Sequence, residues 1–327
     1  MKQLDLEKIR TLIKYFIIQH NIKSILLAIS GGQDSIYLIN ILETLKKQLF
    51  QTKIEISYIY IDHQWKPSSH KQVKHIINYI KLIKSRIIIY QIKGITLSED
   101  ECRKFRYHII SKHAAKYKFQ LIMTGHSSTD IIETFVQNIT KGSGIESLNN
   151  LAIKSKIFQD AFILRPLLGL DRNTIYWICK KFCLPIWSDS TNYLYKIQRN
   201  RIRQELIPYI RKYLHNNIEK NIKSLINNYY YQNEYIKQSV IKLYLKSRHN
   251  KRTAISHKKI NAQNFLLQIK IIQLFCFDNF QIYLESSKII KVIHKINNQS
   301  LNFSKIMTYN DLIFLINRNW FYLRIKI

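Results

Sequence analysis

The stretch from Ser30 to Ser35 has the composition of a phosphate-binding turn. Its residues are Ser30, Gly31, Gly32, Gln33, Asp34 and Ser35. Two adjacent glycines allow a tight turn whose N–H groups face an anion, and a helix that begins here adds the positive end of its dipole. The serines add hydroxyl donors, and Asp34 offers a carboxylate for Mg²⁺. The simpler alternative is an ordinary helix N-cap, with a serine as the cap and Asp34 favoured by the dipole.

A second polar cluster follows a short apolar run at 121–124. Its residues are Gly125, His126, Asp130 and Glu133. The two carboxylates are three residues apart, so they share one face of a helix. If Asp130 faces Asp34, the pair would hold Mg²⁺ against nucleotide phosphates, and His126 would donate to a phosphate or a developing oxyanion. The alternative makes Asp130 a helix cap and His126 an ordinary loop residue.

Alternating strands and helices would bring these clusters together. Strand-like apolar runs cover 24–29, 54–61, 87–90 and 121–124, and helical patterns cover 4–20, 70–84, 98–118 and about 130–140. This alternation predicts an α/β fold, a parallel sheet wound by helices on both faces, whose ligands bind beyond the carboxyl ends of the strands. Asp62 and His63 also follow a strand. We therefore expect the three clusters to form one site.

Two groups of arginines are candidates for binding phosphate. Arg103 and Arg106 lie three residues apart in one predicted helix, which Ser98 and Glu101 would start with a capping box, and Arg199, Arg201 and Arg203 alternate along a basic stretch. Guanidinium groups bind phosphates through paired hydrogen bonds, so both groups suit a nucleic-acid backbone. We expect the alternating three to form a basic ridge. A solvated basic face is the alternative.

The overall charge indicates a polyanionic partner. The 327 residues include 52 Lys and Arg against 21 Asp and Glu, a formal net charge of +31. That excess fits nucleic acid or an anionic membrane surface. No apolar run approaches the roughly 20 residues of a membrane span, and the N-terminus has neither a signal-peptide nor a transit-peptide pattern. We therefore expect no membrane partner and a protein that works in the compartment that makes it.

The character of the chain changes near residue 206. Residues 206–327 contain 20 Lys and Arg but only 5 Asp and Glu, so we expect two domains, 1–205 and 206–327, the second smaller, basic and mainly helical. Apolar runs at 312–316 and 320–323 predict a short β-containing end. The run Tyr229–Tyr231 is expected in the core, with stacking on bases as the alternative.

Several motifs together resemble one enzyme family. SGGQDS resembles the S-G-G-x-D-S signature of the PP-loop ATP pyrophosphatases, a Rossmann-like superfamily, and the Walker A pattern is absent. Within that superfamily the chain resembles the tRNA(Ile)-lysidine synthetases over about 24–210. The further matching motifs are Asp62-His63, Cys102 to Tyr107, Gly125-His126, Asp130, Glu133-Thr134, Gly142 to Gly144, Arg165 to Leu168, Asp189 to Asn192 and Arg199 to Arg203. The chain departs from the family at Thr129, where Asp is frequent, and at Cys102, where a small residue is frequent.

The resemblance implies a two-step reaction. ATP adenylates the C2 oxygen of the wobble cytidine in a CAU-anticodon tRNA(Ile), and the amine of L-lysine then displaces AMP to give lysidine. Codon reading changes from AUG to AUA. The family's cofactors would be ATP and Mg²⁺. The residues after 210 carry no motif of the family, so tRNA binding by the C-terminal region is expected from its charge alone.

The resemblance also implies roles for the candidate residues. The turn at 30–35 would hold pyrophosphate, with Asp62, His63 and Gly125 completing the nucleotide site, while Asp34 and Asp130 carry Mg²⁺. The cationic groups expected to stabilise phosphoryl charge or position RNA are His126, Arg103 and Arg203, and those expected to bind tRNA are Arg106, Arg199, Arg201 and Arg203. Glu133 would receive the lysine ammonium or take its proton.

Three rival functions fit the sequence less well. A PP-loop tRNA thiolase would need catalytic cysteines, but the 4 cysteines form no C-x-x-C pair and read as reduced core thiols. An amidotransferase relative would need a glutaminase domain. A non-catalytic RNA-binding module would not need the intact set of Ser30, Asp34 and Asp130. A homodimer remains open.

Residue usage bears on where the protein works. Ile, Lys, Asn and Tyr are abundant, while the chain has 7 glycines and 4 prolines, a bias typical of A/T-rich genomes. Part of the lysine excess then reflects codon composition, so the arginines in motifs are better indicators of an anionic partner. This bias favours a plastid-encoded protein of the chloroplast stroma, with the cytoplasm of an A/T-rich bacterium as the alternative.

Overall fold

The computed structural model contains two compact units. The described residues are 2–48, 54–64, 69–92, 98–148, 153–158, 161–187, 195, 197–298, 304–309 and 312–325. The units are Met1–Ile226 and Asn227–Ile327. The sequence predicts a domain boundary between residues 205 and 206, so the first unit continues further along the chain than expected. The boundary between the units falls within the helix Ile218–Ser247.

A six-stranded sheet forms the centre of the first unit. Its strands are β1 Ser24–Ile29, β2 Glu55–Asp62, β3 Arg86–Gln91, β4 Leu121–Thr124, β5 Lys154–Phe158 and β6 Ala161–Leu164. Their order is β3-β2-β1-β4-β6-β5, and the neighbours are parallel except for β5, which is antiparallel to β6. Because β1 pairs with both β2 and β4, the residues that follow these strands lie along one edge of the sheet.

Helices cover both faces of this sheet. They are α1 Lys2–Gln19, α2 Gln33–Gln48, α3 Ser69–Leu82, α4 Glu99–Lys116 and α5 Ser128–Thr140. Successive β1 residues point to opposite faces: Leu27 belongs to a core with Ile36 and Leu38 of α2, whereas Leu26 belongs to a core with Ile110 of α4. The prediction of a doubly wound, largely parallel sheet is confirmed.

The predicted capping box at the start of α4 is also confirmed. The Glu101 N–H donates to Ser98 Oγ at 3.2 Å, and the Ser98 N–H donates back to the Glu101 carboxylate at 3.2 Å. These reciprocal bonds satisfy two N–H groups that a helix start leaves without partners. They fix where α4 begins, and this helix carries Arg103 and Arg106.

Residues 145–160 show no strand or helix pattern in the sequence, which predicts irregular structure. For the described part of that stretch this prediction is wrong. The structure has a short helix, α6 Ile145–Leu148, and the edge strand β5. The strand begins Lys154-Ser155-Lys156, and lysines are frequent on edge strands because they discourage pairing with another chain. The same polar residues remove the apolar signal on which strand prediction depends.

A series of helical segments follows β6. They are a 3₁₀ turn at Pro166–Gly169, α7 Arg172–Lys181, α8 Gln198–Arg201, a π-helical turn at Ile202–Leu206, α9 Ile207–Tyr213 and α10 Ile218–Ser247. The Thr174 N–H donates to Asp171 Oδ1 at 2.8 Å, which caps α7. The apolar face of α7 joins the core that contains α2. In the sequence, the residues from Asp171 to about Phe182 have a helical pattern and residues 189–192 are polar and turn-like. The helix is confirmed, whereas the turn lies outside the described residues.

The second unit combines helices with an antiparallel sheet. Its elements after α10 are β7 Ala254–Ser256, α11 His257–Asn261, α12 Phe265–Phe280, α13 Ser286–Asn298, β8 Ser304–Tyr309, β9 Leu312–Ile316 and β10 Trp320–Ile325. The strand order is β7-β10-β9-β8, and Phe275, Phe314 and Phe321 lie in the core. The predicted β-containing end is confirmed. The sequence missed β7, which has three residues, and β8, whose register shifts.

Two expectations about buried residues are wrong. Tyr230 and Tyr231 are 47% and 70% exposed, because three consecutive residues of a helix cannot all face one core. Cys183 is exposed, whereas Cys102, Cys179 and Cys276 are buried. Within the part of the chain that the structure describes, no helix has the length and apolar character needed to cross a bilayer.

Candidate active site

The glycine-rich turn joins the central strand β1 to α2. The Ser30 N–H donates to Ser35 Oγ at 3.3 Å, and that hydroxyl donates to the Gly32 carbonyl at 2.9 Å. Gly31 has a φ of +79°, a conformation that favours glycine, and a Cβ there would lie 2.9 Å from Cδ1 at the end of the Ile76 side chain, which would have to shift. Ser35 is buried and supports the turn from within, while Ser30 is exposed at its surface.

The loop after β4 touches this turn directly. A Cβ on Gly125 would lie 3.0 Å from the backbone carbon of Asp34 and 3.0 Å from the backbone nitrogen of Ser35. Backbone atoms cannot swing aside as a flexible side chain can, so the absence of a Cβ allows the two loops to meet. The clusters at 30–35 and 125–133, which the sequence placed at neighbouring strand ends, therefore lie together.

The Asp34 carboxylate is largely buried, and hydrogen bonds and opposite charge only partly offset the cost of burying it. Burial raises its pKa to about 7, helped by the nearby charge of Asp130 and opposed by that of Arg172. The Arg172 guanidinium lies 3.9 Å from Asp34 Oδ2, and the buried Oδ1 has no hydrogen-bond partner among the described residues. An unpaired buried carboxylate oxygen beside a second carboxylate is the environment that a divalent cation would stabilise.

Asp130 lies at the start of α5 and is held by the residue before that helix. Its Oδ2 accepts from the Ser127 N–H at 2.7 Å and from the Ser127 hydroxyl at 2.9 Å. Burial opposes ionisation, but His126 and these two hydrogen bonds outweigh it and hold the pKa of Asp130 below its usual value. Asp130 is therefore an ionised carboxylate, and it completes a capping box as the third residue of α5, whereas the N-cap is Ser127 and not Asp130 as the alternative reading had it.

His126 belongs to a stack of side chains that extends to α4. Its Nδ1 shares a hydrogen bond of 2.9 Å with Thr124 Oγ1, its ring lies parallel to Tyr107 at 6.4 Å, and Arg103 covers Tyr107 at 5.5 Å. Burial lowers the pKa of His126 to about 4, and the charges of Arg103 and other arginines add to this effect although Asp130 opposes it. The structure thus corrects the expected cationic His126 to a neutral imidazole.

Glu133 and Arg203 form a bidentate, largely buried ion pair. Arg203 Nε donates to Glu133 Oε1 at 2.6 Å and Nη2 donates to Oε2 at 2.9 Å, although the two residues are 70 positions apart. Burial raises the pKa of Glu133 against the pull of Arg203. The sequence assigned these residues to different ligands, and in the structure each is the other's partner.

Asp62 and His63, the third polar cluster, lie at the end of β2 and connect it to α4. Arg106 Nε donates to His63 Nε2 at 3.3 Å, and Arg106 Nη2 lies 3.2 Å from the same His63 nitrogen. Burial and the Arg106 charge lower the pKa of His63 to about 4, against the charge of Asp62. Asp62 Oδ1 accepts from the Gln64 N–H at 3.0 Å, so this carboxylate shapes its own loop.

Arg199, Arg201 and Arg203 do not form the expected ridge. Arg199 Nε donates to Gln137 Oε1 at 3.2 Å, whereas Arg201 Nε donates to Glu205 at 3.2 Å on the exposed surface. The segment is helical, and residues two positions apart on a helix point in different directions. Arg203 alone of these three forms the buried pair with Glu133 described above.

A cavity of about 560 Å³ opens beside Glu133 and Arg203. Its lining carries both signs of charge, with three acidic and five basic side chains. These are Glu133, Asp171, Glu219, Arg172, Arg203, Arg211, Lys220 and Lys223. Arg211 and Glu219 form a salt bridge within the lining. The described residues contain no group of three or more His, Cys, Asp or Glu that could form a metal site by itself.

The sequence missed Arg172 as a site residue. Its carbonyl accepts from Gln33 Nε2 at 2.7 Å, its N–H donates to Thr129 Oγ1 at 3.2 Å, and its guanidinium faces Asp34. It thereby joins the turn at 30–35 to the loop of Asp130. The only signal in the sequence was the predicted start of α7 at Asp171, which does not indicate what α7 packs against.

Comparison with known proteins assigns the family. A PP-loop domain model matches residues 5–210. The chain is 40% identical over 301 residues to a chloroplastic tRNA(Ile)-lysidine synthase from Gracilaria tenuistipitata var. liui, with 92% of each chain covered. This chain belongs to the tRNA(Ile)-lysidine synthase family. It is also 30% identical to a chloroplastic member from Pyropia yezoensis, over 97% of this chain and 94% of that one.

Further relatives agree with this family and fold. A tRNA(Ile)-lysidine synthase from Nostoc sp. is 36% identical over 211 residues, 64% of this chain and 60% of that one. Among solved structures, the U34-tRNA thiolase NcsA from Methanococcus maripaludis has a TM-score of 0.56 at 15% identity, covering 71% of this chain and 79% of that one. At that identity the similarity shows the PP-loop fold alone. The family resemblance that the motifs indicated is confirmed.

Proposed function

We propose that this protein uses ATP to ligate L-lysine to C2 of the wobble cytidine in CAU-anticodon tRNA(Ile), giving lysidine. The observation that carries the proposal is that the glycine-rich turn with Asp34 packs against the loop of Gly125, which brings the charges of Asp34 and Asp130 within range of each other. The relatives named above are tRNA(Ile)-lysidine synthases, and the PP-loop domain of this chain belongs to enzymes that use ATP.

The first step is adenylation of the RNA. The C2 oxygen of cytidine bonds to the α-phosphorus of ATP, and the bond to the β-phosphate oxygen breaks to release pyrophosphate. The turn at 30–35 offers N–H groups and the positive end of α2 to that leaving group. His126, neutral at pH 7 and oriented by Thr124, donates a hydrogen bond rather than a charge, while Arg103 supplies positive charge nearby.

Asp34 and Asp130 would hold Mg²⁺. The partnerless Oδ1 of Asp34 and the raised pKa of this carboxyl fit a cation, which would restore the ionised form. Two protein carboxylates are sufficient because Mg²⁺ usually completes its coordination with phosphates and water. When bound, the metal would neutralise negative charge that develops on the phosphates.

The second step consumes lysine. The amine nitrogen bonds to C2 of the cytidine, the bond from C2 to the adenylate oxygen breaks, AMP leaves, and the nitrogen loses a proton. The cavity beside Glu133 offers acidic side chains for an ammonium and basic ones for the amino acid's carboxylate. For Glu133 to receive the ammonium or its proton, its bonds to Arg203 must loosen, because both of its oxygens accept from that residue.

We assign tRNA binding to the basic surfaces. Arg106 and Arg201 are exposed on the first unit, Arg203 lines the cavity, and the charge of Arg199 acts on Glu133 in the lining. The basic C-terminal region would add phosphate contacts, consistent with its 20 Lys and Arg. Several relatives are chloroplastic proteins of algae, which supports action in the plastid stroma. Association as a homodimer is compatible with this assignment.

Lysine-dependent AMP formation tests the proposal. Purified protein is incubated with ATP, Mg²⁺ and a CAU-anticodon tRNA(Ile) transcript, with lysine, with arginine or with no amino acid. We expect pyrophosphate release to require the tRNA, AMP release to require lysine, and lysidine to appear in the digested RNA by mass spectrometry. A transcript with uridine at the wobble position is the matched control. Equal AMP release with and without lysine, or sulfur transfer to the RNA, would refute the assignment.

A further inference from the structure

Helix α7 exposes two adjacent aromatic rings that no part of the reaction scheme uses. Tyr176 and Trp177 are 39% and 56% exposed, and their ring centroids lie 5.9 Å apart at 70°. Lys180 Nζ lies 5.6 Å from the centroid of each ring. Isolated exposed aromatics are ordinary on protein surfaces, but this group combines two rings with one ammonium on a single helix face.

The opposite face of α7 fixes this group relative to the phosphate-binding turn. Ile175, Ile178 and Cys179 are buried in the core shared with α2, and the Cys179 thiol donates to the Gln33 carbonyl at 3.6 Å. The exposed rings are therefore held by the same packing that positions the turn. A surface held in this way loses little conformational entropy when it binds a ligand.

The exposed face of α7 also begins at the rim of the cavity. Asn173 lines the cavity, and Tyr176 and Trp177 follow it by three and four positions, so they lie on the same face about one turn, or roughly 5.4 Å, further along the helix. A ligand that fills the cavity and extends beyond it along α7 would next meet the two rings and then Lys180.

We propose that Tyr176, Trp177 and Lys180 form a stacking platform for an unpaired anticodon-loop base next to the cytidine that reacts. This inference rests on the proposed function and identifies a specific contact with its RNA substrate. Sequence-specific RNA recognition relies on unpaired bases stacked against aromatic side chains. Lys180 is placed to contact the phosphate of the stacked nucleotide, and α7 carries Arg172, Lys180 and Lys181 but no acidic residue.

Charge favours RNA over a protein partner at this surface. A helix face for an apolar protein partner would carry further exposed aliphatic residues, whereas the exposed neighbours of the rings on α7 are Asn173, Lys180 and Lys181. Stacking tolerates this polar surround because each base has a π-face and a phosphate beside it.

Binding of two RNAs to the full-length protein tests the platform. The first is an anticodon stem-loop with a CAU anticodon, and the second is a blunt duplex of the same stem without the loop. We expect Trp177→Ala to weaken stem-loop binding about tenfold in an anisotropy assay, the effect of losing one base–aromatic stack, and to leave duplex binding unchanged. Trp177→Phe should recover most of the affinity because it retains a ring.

Phe182→Ala provides the matched control. Phe182 is an aromatic residue of similar exposure, 48%, that follows α7 and is five positions from Trp177, so it lies on a different side. Its loss should leave both affinities unchanged. Quenching of tryptophan fluorescence by the stem-loop should be smaller in Trp177→Phe than in the unsubstituted protein.

Two outcomes would overturn the platform. One is equal weakening of stem-loop and duplex binding by Trp177→Ala, which would indicate a general phosphate contact. The other is unchanged RNA binding with altered oligomeric state by light scattering, which would make the face a protein contact. Either result leaves lysine-dependent AMP formation by the unsubstituted protein intact, so failure of the platform is distinguishable from failure of the proposed function.

Discussion

The two units bury different kinds of polar side chain. Within the described residues, the first unit buries the charged groups Asp62, Glu133 and Arg165 and the imidazole of His113, and it largely buries Asp34. The buried polar residues of the second unit are hydroxyls, amides and one imidazole, namely Asn233, Ser247, Ser256, His257, Gln268 and Gln273. Removing an ion from water costs several kcal/mol that pairing only partly recovers. Holding buried charged groups in place therefore lowers the stability of the first unit, whereas the second unit has no such cost among its described residues.

From this difference we expect the first unit to carry the reaction and the core of the second unit to have a structural role. Replacing a buried ionisable group of the first unit should damage the reaction more than the fold. Replacing a core residue of the second unit should damage that fold and spare nucleotide binding by the first. Three substitutions test this contrast, in decreasing order of expected effect.

Asp34→Ala should reduce adenylation by about 10³-fold or more, because it removes a carboxylate that would hold the Mg²⁺ by which negative charge on the phosphates is neutralised. The folded pKa of Asp34, about 7, lies above its usual 3.8, so folding disfavours the ionised form and the wild-type carboxylate destabilises the protein above pH 7. The variant should therefore melt no lower than wild type at pH 8 in metal-free buffer. Pyrophosphate release and calorimetry measure the two effects.

The control for this substitution is Glu55→Ala, which removes a surface carboxylate paired with Arg86. We expect it to change neither quantity appreciably. A fall in tRNA affinity as large as the fall in rate for Asp34→Ala would contradict a role confined to the chemistry.

Phe321→Ala should destabilise the second unit by about 3–5 kcal/mol, since the side chain is fully buried against Phe275 and Phe314. We expect limited proteolysis to cleave within 227–327 at lower temperature while ATP still binds. Phe277→Ala, which removes a half-exposed ring of the same helix as Phe275, is the control. Loss of ATP binding at temperatures where the second unit resists proteolysis would break the proposed contrast.

His63→Gln should make the unfolding free energy less sensitive to acid. The folded pKa of His63, about 4, lies below its usual 6.5, so below pH 6.5 the unfolded chain binds the proton and stability falls as the pH falls towards 4. We expect the stability lost between pH 7 and pH 5 to shrink by about 1 kcal/mol, after allowance for partial exposure. Urea unfolding at the two pH values measures this, with exposed His108→Gln as control. An unchanged loss would mean that Arg106 does not hold the ring neutral.

The sequence predicted the parts of the site that depend on local pattern. Strand ends located the turn at 30–35, the loop of His126 and the pair Asp62-His63, because strand periodicity and glycine pairs are local signals. Arg172 was missed because its position depends on α7 packing against α2, far away in the sequence.

Side-chain direction was the second limit of prediction. Whether Arg199, Arg201 and Arg203 share a side depends on strand or helix geometry, which their spacing alone leaves open. Similarly, the pairing of Glu133 with Arg203 joins residues 70 positions apart, and local spacing does not encode such a contact.

The bond between Gln33 and Arg172 has a consequence for synthesis of the protein. It joins residues 139 positions apart, so the glycine-rich turn at 30–35 leaves the ribosome long before the side chain that faces Asp34. Until β4 is made, β1 also has one edge without its partner strand. Contacts of such long sequence separation form slowly because chain closure is unfavourable. A nascent chain therefore becomes competent to bind nucleotide only when the first unit is nearly complete, and fragments that end before Arg203 lack part of the site.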